Sequence, residues 1–206
     1  MTYTAAIESA ATLDTERQLS EFAQRVEREA QRRRFGQAPR QVVLGDGAKW
    51  IWNLAGELFP EAVQIVDRFH AKERLHELSK SLYGDRHLSQ DWAEQRCQEL
   101  DAGEIEILLS VLETEGQENQ EAKAASGYFQ ENRQRMRYAQ FEAQGLCTST
   151  GVVEAGCKNV IGARLKRSGM HWSVWGANSI MALRCARLSG RFEDFWEWRA
   201  DHRAAA

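Results

Sequence analysis

The chain contains only two prolines in 206 residues, Pro39 and Pro60. Nothing after residue 60 therefore carries a proline break, and long helices are free to form there. The four cysteines, Cys97, Cys147, Cys157 and Cys185, include no CxxC pair. That removes the short paired spacings of zinc and redox sites and leaves free, buried thiols as the expectation. No apolar run approaches the roughly 18 residues that cross a bilayer. The N-terminus MTYTAAIESAATLDTE lacks both a basic start and an apolar stretch, so neither a membrane association nor a secretory signal is expected. Tyrosine is scarce beside tryptophan, four against seven. A formal net charge of −3 argues, taken as a sum, against a generally basic nucleic-acid binder. What is present is a globular composition, 43% hydrophobic and 28% charged, enough for a real core.

Along the chain, Thr2 to Ile7 alternates weakly and reads as a strand. Leu19, Phe22, Ala23 and Val26 fall on one helical stripe, with Thr12 and Asp14 as N-caps, Arg32 to Arg34 at the C-terminal end, and Gly36 as the stop. After Pro39, Val42 to Leu44 is a short continuous apolar run ending in Gly-Asp-Gly, as in a buried strand that stops at a tight turn. Ala48 to Leu58 is helical, and Ala62 to Asp67 is a second strand. Strand, helix and strand within about 30 residues form a βαβ unit with parallel pairing. Both strands end in an aspartate, Asp46 and Asp67, at the carboxyl edge of the sheet, where open α/β sheets place ligands.

From Ala71 to Gln144 helical periodicity takes over, with Leu75, Leu78 and Leu82 on one stripe and Ile105, Leu108, Leu109 and Leu112 on another. Between Asp85 and Gln144 there are 13 acidic residues against six basic ones, which describes a helical subdomain with solvated acidic faces. The end of the chain reverses sign. Between Gly151 and Arg191 seven Lys and Arg residues face a single acid, Glu154. Helices are expected from Val152 to Lys166, from the Ser173 cap to Leu188, and from Phe192 to Trp198, with breaks at Ser168-Gly169 and Gly190. The mild total charge is thus a cancellation between an acidic middle and a basic end, and the sum does not exclude nucleic-acid binding.

Each chemically suggestive residue has a plain structural role beside the functional one. Asp46, in Gly-Asp-Gly, suits a metal ligand or the cap of the helix starting near Ala48. Asp67 and His70, three apart, suit either a cap with its hydrogen bond or a fixed Asp–His pair supporting a polar site. Glu154 suits a first-turn carboxylate or an i,i+4 partner of Lys158, or the second member of a metal-binding pair with Asp46. In Ala163 to Trp172, the residues Arg164, Lys166, Arg167, His171 and Trp172 suit phosphate contacts and base stacking, or a cationic helix end with a core tryptophan.

Two blocks, VVLGDGAKWIWNLAGELFPEAVQIVDRFHAKERL and STGVVEAGCKNVIGARLKRSGMHWSVWGANSIMALR, strongly resemble bacterial DDE insertion-sequence transposases of the Kra type, related to mutator-like elements; YTAAIESA fits more weakly. The resemblance implies an α/β, predominantly helical fold: a partial RNase H-like sheet interrupted by a large all-helical insertion. The implied divisions are a partial core over 1–70, the insertion over 71–147, and C-terminal core helices with a basic DNA-facing segment over 148–206. Asp46 matches the second catalytic aspartate and Glu154 the final glutamate, the pair that would hold Mg²⁺ or Mn²⁺. Asp67 and His70 match a supporting Asp-x-x-His element, while Lys158, Arg164, Lys166 and Arg167 would lie near the DNA backbone. The implied activity is DNA strand cleavage and transfer at transposon ends and target, in a cytoplasmic, nucleoid-associated protein. The first catalytic aspartate of such enzymes precedes the segment matching Thr2 to Ile7, and Asp14 lies in a helix-cap context. The expectation is therefore the C-terminal part of a transposase, inactive alone, working as a dimer or with a missing N-terminal portion. The competing readings are a non-catalytic DNA-binding remnant and a helical protein-interaction module.

Overall fold

The structure, a computed structural model, describes residues 2–7, 20–166 and 169–203. The chain separates into two compact units, one formed by residues 37–150 and the other by 1–36 with 151–206. It is largely helical, with a small parallel sheet. The first described helix, α1 (Glu21–Arg32), belongs to the second of these units.

The 37–150 unit begins with the βαβ element. Strand β1 (Val42–Gly45) leads through helix α2 (Lys49–Leu58) to strand β2 (Val63–Val66). The strands pair in parallel, Val42 opposite Val63 and Gly45 opposite Val66, as the two apolar runs and the intervening helix require. Among the described residues the sheet has two strands. Five helices follow: α3 (Arg68–Leu82), α4 (Arg86–Ala102), α5 (Ile105–Glu115), α6 (Gln120–Asn132) and α7 (Tyr138–Ala143). The leucine stripes face inward as their spacing predicts. Leu75, Leu78, Ile105, Leu108, Leu109 and Leu112 are buried, and Leu82 packs against them. Ile65 and Val66 join the same core with Phe129 and Tyr138, so the acidic helical stretch and the sheet share one hydrophobic interior. Asp85 caps α4 through Oδ1, which accepts from the His87 and Leu88 amides, and Gly103 ends that helix at φ +83.

The second unit carries α1 together with α8 (Gly151–Cys157), a π-helical segment (Lys158–Gly162), α9 (Ala163–Leu165), α10 (Val174–Leu188) and α11 (Phe192–Arg203). Its buried centre is Val160, Met181 and Cys185, with Tyr3, Ala5, Ile161 and Leu165 packed on it. Ser173 caps α10, its Oγ accepting from the Gly176 amide at 3.1 Å. Gly190 at φ +69 follows the helix end.

The structure corrects several expectations drawn from the sequence. Thr2 to Ile7 is not a strand and pairs with no described strand; side chains bond its backbone instead. The Tyr3 amide donates to Ser189 Oγ at 2.9 Å, the Ile7 amide donates to Asn178 Oδ1 at 2.7 Å, and Asn178 Nδ2 returns to the Ile7 carbonyl at 3.2 Å. Helix α1 starts behind Ser20, whose Oγ accepts from the Ala23 amide at 3.0 Å; the expected caps Thr12 and Asp14, and Leu19 of the stripe, lie outside the described residues. It stops at Arg32, with Arg34 at φ +53, before Gly36 is reached. The helix over 152–166 is not regular but bulges at Lys158–Gly162, and the last helix runs on past Trp198 to Arg203. All four thiols are free, but Cys147 and Cys157 are exposed while only Cys97 and Cys185 are buried. Burial pushes the Cys97 thiol up to about 11, which makes it an inert core group.

Candidate functional site

The carboxyl end of β1 is built for a close turn. The position a Cβ would take at Gly45 is 3.0 Å from the Ile51 side chain, and Gly45 O accepts from the Asp67 amide at 2.6 Å. The ladder therefore continues one residue beyond β2 and sets Asp67 beside the end of β1. Asp46 follows at once and is exposed. Its Oδ1 accepts from the Ala48 amide at 2.9 Å, holding the turn into α2, so the capping role is real. The other carboxylate oxygen makes no hydrogen bond to a described residue, and no described cation pairs with it. Such an oxygen, exposed and unneutralised, is a suitable donor for a hard cation.

Asp67 is the opposite case. It is fully buried and caps α3, with Oδ1 accepting from the His70 amide at 2.9 Å. Oδ2 accepts from the Thr150 amide, and the His70 ring brings Nδ1 to 3.2 Å from Oδ1. Burial alone would raise this carboxyl's pKa; hydrogen bonds from Thr150 and His70 outweigh it and hold the group below its usual range. A carboxylate so enclosed supports its surroundings and is not placed to bind an ion.

The neighbouring α3 residues form a network that the sequence did not reveal. Arg68 Nε donates to Asp101 Oδ1 at 2.8 Å, Lys72 Nζ to Asp101 Oδ2 at 2.6 Å, and Arg68 also pairs with Glu142. The Arg68 amide donates to the Thr148 carbonyl at 2.9 Å. Arg68 and Asp67 together therefore fasten residues 148 and 150, the stretch that leads to Glu154, to the end of β2. Only the charge alternation along α3 hinted at this; the partners lie 33 and 74 residues away.

A second unforeseen element is Tyr128 on α6. Its hydroxyl donates to the Asp46 carbonyl at 2.9 Å, and Gly47 accommodates the ring at φ +93. Asn132, one turn later, accepts from Trp52 Nε1 at 2.8 Å and donates to the Tyr128 carbonyl at 3.0 Å. Helix α6 is thereby fixed to both α2 and the Gly-Asp-Gly turn.

In the other unit, Glu154 sits exposed on the first turn of α8 and forms no ion pair with Lys158, so the i,i+4 alternative is not realised. Lys158 is exposed at the start of the π-helical segment. The widened turn loosens the regular carbonyl ladder, and Arg184 occupies the place, donating from Nε to the Asn159 carbonyl at 3.1 Å and the Val160 carbonyl at 3.0 Å. Arg184 thus serves the fold. Lys166 and His171 are exposed, Trp172 is half-buried, and the Arg164 guanidinium lies 6.0 Å from the Trp172 ring centroid. Arg167 lies outside the described residues. Trp175, which sequence reasoning passed over, is 81% exposed on the first turn of α10.

Among the described residues no group of three or more His, Cys, Asp or Glu side chains is arranged to hold a metal ion. No described helix is long and apolar enough to cross a membrane.

The fold and site define an α-rich α/β protein with an exposed aspartate at the carboxyl end of a parallel strand. A family model, that of the uncharacterised protein family UPF0236, matches residues 11–201, and the chain belongs to that family. Neither the curated proteins nor the solved structures yield a match.

Proposed function

We propose that the chain forms part of a DDE-type DNA transposase, resembling the Kra type, with α3 to α7 as a helical insertion in an RNase H-like core. In this reading Asp46 and Glu154 hold Mg²⁺ or Mn²⁺, and the basic residues of 158–172 bind DNA in a nucleoid-associated complex. Ions held there would supply polarisation of the attacking and leaving oxygens of a phosphodiester. Water or a DNA 3′-hydroxyl would attack phosphorus and give its proton to solvent, while the bond to the leaving 3′-oxygen breaks and that oxygen takes a proton from solvent. Asp67 and His70 keep the neighbouring backbone in place and exchange no proton with substrate.

The observation that carries the reading is the tie between Asp67 and the Thr150 amide. Glu154 follows Thr150 by four residues, so connectivity alone keeps it within about 14 Å of that anchor. Asp46 lies at the end of the strand paired with the one leading to Asp67. What supports the reading is that Asp46 and Asp67 end two paired strands and that Asp67 also holds the backbone at Thr150, four residues before Glu154. The resemblance matches two of three catalytic carboxylates, Asp46 and Glu154, to positions in this sequence. The alternative is DNA binding without chemistry, by a chain that holds no metal.

Both readings require DNA binding that is electrostatic. Fluorescence anisotropy with a short labelled duplex is expected to show affinity falling steeply with salt. Changing Lys158, Arg164 and Lys166 together to alanine weakens binding about tenfold and flattens the salt slope by about 0.9 per lost phosphate contact. A wild-type chain that ignores the duplex at low salt refutes both, and leaves the helical interaction module standing.

A further inference from the structure

Three of the six Lys and Arg residues of α3 and α4 are paired with carboxylates. Arg68 and Lys72 meet Asp101, and Arg96 forms a buried pair with Glu99 at 2.5 Å. Arg74, like Lys80 and Arg86, is without an ion pair to a described residue, and it differs from them in having an aromatic platform. It is exposed on α3 and has no carboxylate within 4.0 Å among the described residues, although acids are plentiful in this stretch. Its guanidinium lies over the Tyr128 ring, 4.1 Å from the centroid.

That contact has a specific chemical result. A guanidinium over an aromatic face is held by the ring's π surface, here with a hydrogen bond to the same tyrosine, and it carries further N–H donors beyond that bond. Those donors match the oxygens of a phosphate. The same tyrosine reaches Asp46 with its hydroxyl, so one side chain carries a fixed cation on its ring and the candidate catalytic turn at its tip. A phosphodiester approaching Asp46 meets a carboxylate that repels it, and a cation fixed nearby offsets that repulsion.

We propose that Arg74 is a DNA-phosphate ligand of the candidate centre and that Tyr128 is the positioning residue holding this cation beside Asp46. This rests on the transposase reading and adds to it a contact from the helical insertion itself, distant in sequence from the basic segment.

The test uses the full chain and a short fluorescein-labelled DNA duplex, titrated at several salt concentrations with Mg²⁺ and with EDTA. Arg74→Ala is expected to weaken binding roughly three- to tenfold and to flatten the salt slope by about 0.9, the signature of one lost phosphate contact. Arg74→Lys restores the slope but only part of the affinity, because the charge returns without the planar fork. Tyr128→Phe keeps the ring and the affinity; Tyr128→Ala removes the platform and matches Arg74→Ala, and the double variant loses nothing more. Arg74 is exposed, so its variants fold, as circular dichroism checks. Wild-type affinity and slope in Arg74→Ala overturn this proposal alone. A wild-type chain that binds no duplex overturns the transposase reading and this proposal together.

Discussion

Replacing Asp67 by alanine destabilises the 37–150 unit by about 3 kcal/mol, read as a lowered urea midpoint with an unchanged slope. The side chain is fully buried and answers two backbone donors, those of His70 and Thr150. Its loss leaves both amides without their acceptor and removes the cap of α3. Asp67→Asn keeps the shape but not the charge, and separates the two contributions. The folded pKa is depressed, so the stabilisation from ionised Asp67 is complete above the unfolded value of 3.8 and is lost as pH falls through the lower folded value. The wild-type chain therefore loses stability below about pH 4, and Asp67→Asn lacks this part of the loss. Equal acid sensitivity in both would show that Asp67 does not carry it.

Gly47→Ala has a comparable effect by a different route. The residue sits at φ +93, which costs an L side chain about 1–2 kcal/mol. The new Cβ would also lie 2.5 Å from the Tyr128 hydroxyl oxygen, and overpacking of this kind costs about 1–3 kcal/mol. A total near 3 kcal/mol is expected, with the Tyr128 contact to Asp46 broken. Introducing the change into Tyr128→Ala recovers the steric part and leaves the backbone strain. Gly56 in α2 is the control: nothing lies within 4 Å of its Cβ position, and alanine there stabilises by about 0.5–1 kcal/mol. A Gly47→Ala chain as stable as wild type would mean that the turn is not held as described.

What the sequence made legible was local and periodic. The two apolar runs with a helix between them required a parallel pair, and the leucine stripes named the buried faces of α3 and α5 correctly. Ser173 and Gly190 bounded α10 because capping chemistry acts within a turn or two. The failures share a cause. Thr2 to Ile7 has strand composition, but Asn178 and Ser189, over 170 residues away, take its hydrogen bonds. The π-helical turn at Lys158 is satisfied by Arg184, which in sequence is one more basic residue some 25 positions further on. Tyr128 reads as one more residue on an acidic helix, and only the packed fold sets it against Asp46, 82 positions earlier. For the candidate site, the carboxylates could be named from sequence. Their inequality could not, since exposure separates Asp46 from Asp67 and both end strands of similar composition.

If Asp46 and Glu154 serve one metal centre, manganese titration of the full chain, followed by electron paramagnetic resonance of free Mn²⁺, reads it most directly. Asp46→Ala and Glu154→Ala are each expected to weaken Mn²⁺ binding about tenfold, with the double variant little weaker than either, as for ligands of a shared ion. Mn²⁺ binding left unchanged by the double variant contradicts a shared centre.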